Sequence, residues 1–202
     1  MGEEQYYQPL TRWDRISVIL YRVGIVLSTA FIGAGAWFSY NVSRYQRHIS
    51  FVALTNMLLL LLYASVGMSV FLIHLYVGKF HSALKILYCV AVISLIFLFV
   101  SGSGNILGVL VTRPYGPLLL LPLAGCLGFI AAKEAFCFKL AEGYLLALIM
   151  PLYLVVLAIP GLTGEGASYG LILIAAMLVL FTFRKVFMPL HFDIGDKSAY
   201  TS

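Results

Sequence analysis

Apolar residues run through this chain in long blocks separated by short polar breaks, without the strict alternation of half-buried strands. The blocks predict an all-α, polytopic membrane protein of one integral membrane domain, residues 1–202. Six transmembrane helices, over about 23–40, 51–77, 86–101, 118–132, 144–159 and 169–183, are joined by short loops. Residues 16–22 are expected to open the first helix at the interface, with Arg22 snorkelling outward. Trp13 and Trp37 lie about 24 residues apart, roughly 36 Å along a helix, which suits two interfacial belts. The breaks at 41–50 and 78–85 read as polar or basic turns. The six apolar residues 106–111, between a Gly/Ser-rich stretch and Arg113-Pro114-Tyr115-Gly116-Pro117, are too few to cross. Pro151 falls inside the fifth span, and the tail from Met188 is polar and expected to fray. Small-residue pairs at Ala30/Ala34, Ser65/Ser69 and Ala124/Gly128 are spaced for close helix packing.

Composition agrees with lipid as the solvent. The chain is 62% hydrophobic and 10% charged, against about a quarter charged in a soluble domain. The net charge of +5 is therefore no nucleic-acid footprint, because the basic residues sit in breaks between apolar spans. With six crossings, one face collects Arg12, Arg15, Arg22, Lys79, Lys85, Lys133, Lys139, Arg184, Lys185 and Lys197. The other holds Arg44, Arg47 and Arg113. The asymmetry puts both termini on the cytoplasmic side, or the stromal side of a plastid membrane. Ala34-Gly35-Ala36 resembles a signal-cleavage site, but the apolar run continues past it, so a retained first span is expected.

Charge of both signs interrupts an apolar run only in Lys133-Glu134-Ala135-Phe136-Cys137-Phe138-Lys139-Leu140-Ala141-Glu142, and ionisable groups near hydrocarbon are costly enough to mark function. On a continuous helix Glu134, Phe138 and Glu142 share a face, while Phe136, Cys137 and Leu140 point elsewhere. The carboxylates would then stand about 12 Å apart, too far for a shared-proton pair. Three readings stand: local ion pairs among Lys133, Glu134, Lys139 and Glu142 at the cytoplasmic interface; contact with a partner or ligand; and proton or ion translocation through Glu134 or Glu142. His74 and His81 fall near the same face and are candidate ligands, either for a metal with the carboxylates or, for His74, axial to a pigment or haem. No compact metal motif accompanies them, so neither a metal nor a cofactor is expected. The cysteines Cys89, Cys126 and Cys137 stand singly and read as small hydrophobes, Cys137 being the one nearest the charges. No catalytic triad, phosphate loop or dinucleotide fingerprint occurs, and the aspartates are terminal; an enzyme is not expected.

The segment Lys133–Phe138 followed by Glu142 resembles the hallmark of an uncharacterised integral-membrane family of unknown function associated with oxygenic photosynthetic bacteria and plastids. The resemblance implies a thylakoid or plasma-membrane location, with Glu134, Phe136, Cys137, Phe138 and Glu142 as family-type residues. It implies no activity. The expected role is that of a non-enzymatic binding or assembly factor, or an accessory subunit of a membrane complex. Its partners would be the bilayer and other membrane proteins, with a homo-oligomer as the other association; the alternative role is a small-solute or ion-coupled transporter.

Overall fold

A computed structural model describes residues 11–41, 50–75, 77–159 and 164–194. The expectations for the N-terminal Tyr-rich tail, most of the 41–50 turn with its Asn41-Val42-Ser43 triplet, part of the 160–168 turn and the last residues of the chain lie outside these. Among the described residues the regular elements are helices: α1 (Arg12–Tyr40), α2 (Ser50–Leu72), α3 (Gly78–Ser101), α4 (Ile106–Thr112), α5 (Tyr115–Leu118), α6 (Leu121–Phe138), α7 (Ala141–Leu157), α8 (Gly164–Val186) and α9 (His191–Ile194). Five of them, α1, α2, α3, α6 and α8, are long and apolar enough to cross a membrane, and α7 is a shorter apolar helix.

Helix ends depart from the hydropathy pattern where backbone chemistry overrides it. Thr11 caps α1: its hydroxyl accepts from the Asp14 N–H at 3.2 Å, and the Asp14 carboxylate accepts from the Thr11 N–H at 2.8 Å. The capping box starts one continuous 29-residue helix ahead of the expected first span. Residues 78–85, expected as a turn, are instead the first turns of α3. They contain no proline, their one glycine stands at the first helical position, and Val77 O accepts from the N–H groups of Phe80 and His81 at 3.1 and 3.5 Å. Conversely α2 stops at Leu72, five residues short of the expected end, which leaves His74 in the connection. The 102–105 stretch turns through positive φ at Ser103 and Gly104. Asn105 then caps the short α4 by accepting from the Gly108 N–H at 2.9 Å. Asn56 of α2 ties this connection down, donating to Gly104 O at 2.5 Å and accepting from the Ile106 N–H at 3.3 Å.

The helices pack in the order α2–α1–α8–α7–α6, and α6 returns onto α2; α3 leans on α6 from outside. Half of the apolar stretch of α6 is buried, against 17% for α3, so α6 is central and α3 peripheral. Serine and glycine bring α1 and α2 together. A Cβ at Gly24 would sit 2.2 Å from Ser69 Oγ and 2.8 Å from Ser65 O. Ser28 and Ser65 share a hydrogen bond at 2.8 Å, and Ser69 donates to Tyr21 O at 3.2 Å. The expected Ser65/Ser69 pair thus packs α1, but through Gly24 and Ser28. Ala30 of the predicted Ala30/Ala34 pair is exposed. Thr29 of α1 and Thr182 of α8 share a hydrogen bond at 2.7 Å, joining the other flank.

Candidate functional site

The charged segment is two helices and a break. Residues 133–138 complete α6, Lys139 takes the left-handed conformation (φ 54°, ψ 43°), and α7 starts at Ala141. A left-handed non-glycine residue costs about 1–2 kcal/mol, and anchored flanks hold it there. The continuous-helix geometry therefore does not apply: Leu140, expected to face away, is fully buried, and Glu134 and Glu142 find different partners.

Glu134 has no exposure; it accepts two hydrogen bonds on Oε1 and faces a second cation at Oε2. The Tyr21 hydroxyl donates to Oε1 at 2.6 Å, the Lys133 ammonium donates to the same oxygen at 2.9 Å, and the Lys185 ammonium pairs with Oε2. Lys185 is equally buried; it also pairs with Asp193 of α9 and lies 4.0 Å from the centre of the Phe138 ring. Asp193 in turn accepts from Arg22 Nε at 2.7 Å. The rest of the Arg22 guanidinium donates to Val186 O (3.0 Å), Met188 O (2.5 Å) and Pro189 O (3.1 Å). Those carbonyls belong to the C-terminal end of α8 and the connection after it, where a cation is favoured. Arg22, expected to snorkel outward, is thus turned inward and buried because it has an anion and three carbonyls to satisfy. Asp193, expected in a frayed tail, is buried on a short helix.

Glu142, in the first turn of α7, takes its partner from α8 one residue before Lys185. Both of its oxygens accept from Arg184 Nη1, at 2.7 and 2.8 Å, which corrects the expected pairing with Lys139. The Arg184 side chain remains 48% exposed, so this pair meets solvent while the Glu134 pairs do not. Of the other motif residues, Phe138 is half-buried against Lys185, whereas Phe136, 80% exposed, and Cys137 face outward. The local ion-pair reading holds for Lys133–Glu134 alone; the other pairs made by Glu134 and Glu142 are long-range.

His74 and His81 line one small pocket with Ser17, and Glu134 and Glu142 are not among its walls. The proposed histidine–carboxylate cluster is therefore not formed, since the carboxylates are committed to cations. Ser17 Oγ lies 3.4 Å from His74 Nε2, while His74 Nδ1 and His81 Nε2 are buried without hydrogen-bond partners. Burial pushes the His74 imidazole below its ordinary pKa, and the nearby Lys133 charge acts in the same direction; Asp14 and Asp193 oppose both. Among the described residues no group of three His, Cys, Asp or Glu side chains gathers with metal-site geometry.

Three cations (Arg22, Lys133, Lys185) and two anions (Glu134, Asp193) thus form one buried chain of charge across α1, α6, α8 and α9. Tyr21, Arg22, Lys185 and Asp193 carry no local motif. Their signal was the collection of cations and carboxylates on a single predicted face. The arrangement can clamp helix ends together, and both oxygens of Glu134 are already engaged. Comparison with curated proteins and with solved structures finds no match. The family described as uncharacterized integral membrane protein (DUF2301) matches residues 68–202, which include Lys133, Glu134, Glu142, Lys185 and Asp193. By that match over more than half of its length, the chain belongs to this family of integral membrane proteins.

Proposed function

We propose that the protein is a non-enzymatic component of a membrane assembly, acting as an assembly factor or accessory subunit that binds other membrane proteins. The observation that carries this reading is the division of labour within one helical turn of α6. Glu134 is wholly internal and paired with two cations, whereas Phe136, two residues on, is 80% exposed. A charge network fixes the helix end, and the fixed end holds an aromatic ring outward. Phe80, 57% exposed and stacked near Phe129 of α6, extends the same kind of surface onto α3. On this reading the contact surface lies on the basic face, around Lys79–Lys85 and Lys133–Glu142, at its outward aromatic residues.

Six crossings with both ends on the basic face complete the proposal. The pairing of Arg22, near the start of α1, with Asp193, just beyond α8, supports an even number, and the packing of α7 between α6 and α8 supports it as the sixth. The excess of Lys and Arg on that face supports a cytoplasmic or stromal orientation. A plasma or thylakoid membrane is the location proposed from the family resemblance.

The test is purification in mild detergent with identification of stoichiometric partners. Phe136→Ala is expected to lose the partner without losing thermal stability, whereas Glu134→Ala loses both. A homo-oligomer with no partner overturns the reading. The transporter reading keeps one supporting observation, the pairing of buried Glu142 with a half-exposed Arg184, because that carboxylate alone in the motif has a solvent-facing partner. Flux into liposomes abolished by Glu142→Gln in a folded protein would favour it.

A further inference from the structure

The half of the bundle away from the charge cluster holds a partly open cavity of about 560 Å³ between α1, α2, α4, α5, α7 and α8. Its apolar walls include Phe38, Phe51, Leu59, Leu110, Leu157 and Leu171. The volume lies in the ~300–1,000 Å³ range of small-molecule sites and exceeds several-fold the ~150 Å³ apolar cavity that admits benzene in another protein.

The polar side chains in the wall identify the occupant by what they do not offer. Thr55 donates to the carbonyls of Phe51 and Val52 at 3.0 Å. Asn56 is held by the 102–106 connection, and Tyr153 donates to Ala167 O at 2.7 Å. Ser39 and Ser168 bond each other at 2.9 Å, with Ser168 also placed to donate to Gly164 O at 3.0 Å. Each of these groups has a protein partner, and none of the buried polar atoms lacking one lies in this wall. A polar head would find the spare lone pairs of hydroxyls already bonded and one further N–H of Asn56, but no charged and no unpartnered side chain to recognise it. Nor does burial from the bilayer gain hydrophobic free energy, since lipid tails are as apolar as the wall. Occupancy then follows packing and concentration, and the most concentrated hydrocarbon around a membrane protein is the acyl chain.

From this geometry we infer that the cavity binds an acyl chain of a bilayer lipid, its headgroup remaining outside. The glycines provide a clean test. Gly35 and Gly164 line the cavity, and a Cβ on either meets no atom within 4 Å; the same open space surrounds Gly33, which is not in the wall. The full chain would be reconstituted in nanodiscs of dioleoylphosphatidylcholine, transferred to mild detergent, and weighed by native mass spectrometry with its retained lipid. Wild type and Gly33→Phe are expected to retain a stoichiometric diacyl lipid that Gly35→Phe loses. Gly164→Leu fills the cavity from another helix and decides the matter should Gly35→Phe fail to fold. Equal retention by the filled variants, no retained lipid in the wild type, or an isoprenoid retained from host membranes in place of a diacyl lipid would overturn the inference.

Discussion

Replacing Glu134 with Gln removes one negative charge with almost no change in volume, and the structure gives the consequence a size. The buried cluster then holds Arg22, Lys133 and Lys185 against Asp193 alone, so its excess of one cation becomes an excess of two. Lys185 has no exposure and Lys133 a side-chain exposure of 12%, so water cannot take over the lost role. Removing one partner from a buried pair costs about 3–5 kcal/mol. For a chain of this size each kcal/mol moves the midpoint by about 2–4 °C, which gives a fall of roughly 6–20 °C. Glu142→Gln is the internal control. Arg184 is half-exposed and rehydrates, so the loss should stay within about 1 kcal/mol, or roughly 4 °C. The assay is thermal unfolding in one detergent at fixed protein concentration and scan rate, because unfolding of such proteins is commonly irreversible. A Glu134→Gln midpoint within about 2 °C of wild type, against the ~6 °C minimum worked above, would refute the clasp. A folded Glu134→Gln protein that loses a measured flux would turn the argument toward transport.

Gly143→Ala should destabilise the α6–α7 contact by about 1–3 kcal/mol. Its Cβ would lie 2.5 Å from Ala131 O and 2.9 Å from Ala135 Cβ, and the backbone oxygen cannot rotate away. The same thermal assay checks this, a shift under about 2 °C telling against it. His74 is held below its ordinary pKa, so the folded state prefers the neutral ring. Its contribution is present above the unfolded value of about 6.5 and is lost as pH falls below it, because the unfolded chain takes up the proton first. Midpoints measured from pH 8 down to pH 5 should therefore decline more steeply in wild type than in His74→Gln; parallel profiles would contradict the assignment.

Hydropathy made the helical class and most helix positions legible, because in an apolar solvent each span must satisfy its own backbone and so appears as a long apolar block. The block edges were less legible. Lys79 and Lys85 look like turn residues by polarity, yet nothing in 78–85 interrupts a helix, and α3 begins at Gly78. The site was half legible. Glu134 and Glu142 stand out against their apolar surroundings, but their partners Lys185 and Arg184 lie far along the chain, and at a span end a cation reads as a stop signal. Asp193 was hidden for a different reason: its tail is polar, and only the three-dimensional proximity of Arg22 and Lys185 converts that polarity into burial.

The Arg22–Asp193 bond spans 171 residues of chain. At about 5–20 residues per second, Arg22 leaves the ribosome roughly 10–30 seconds before its counter-ion exists. Lys133 and Glu134 arrive in between, and Lys185 follows shortly before Asp193. During that interval the first helix carries a cation whose resting place has not yet been made, and the charge cluster is incomplete. Helix α9 therefore acts as a completion mark: a chain broken off before residue 193 would insert its spans yet leave Arg22 and Lys185 without their shared anion.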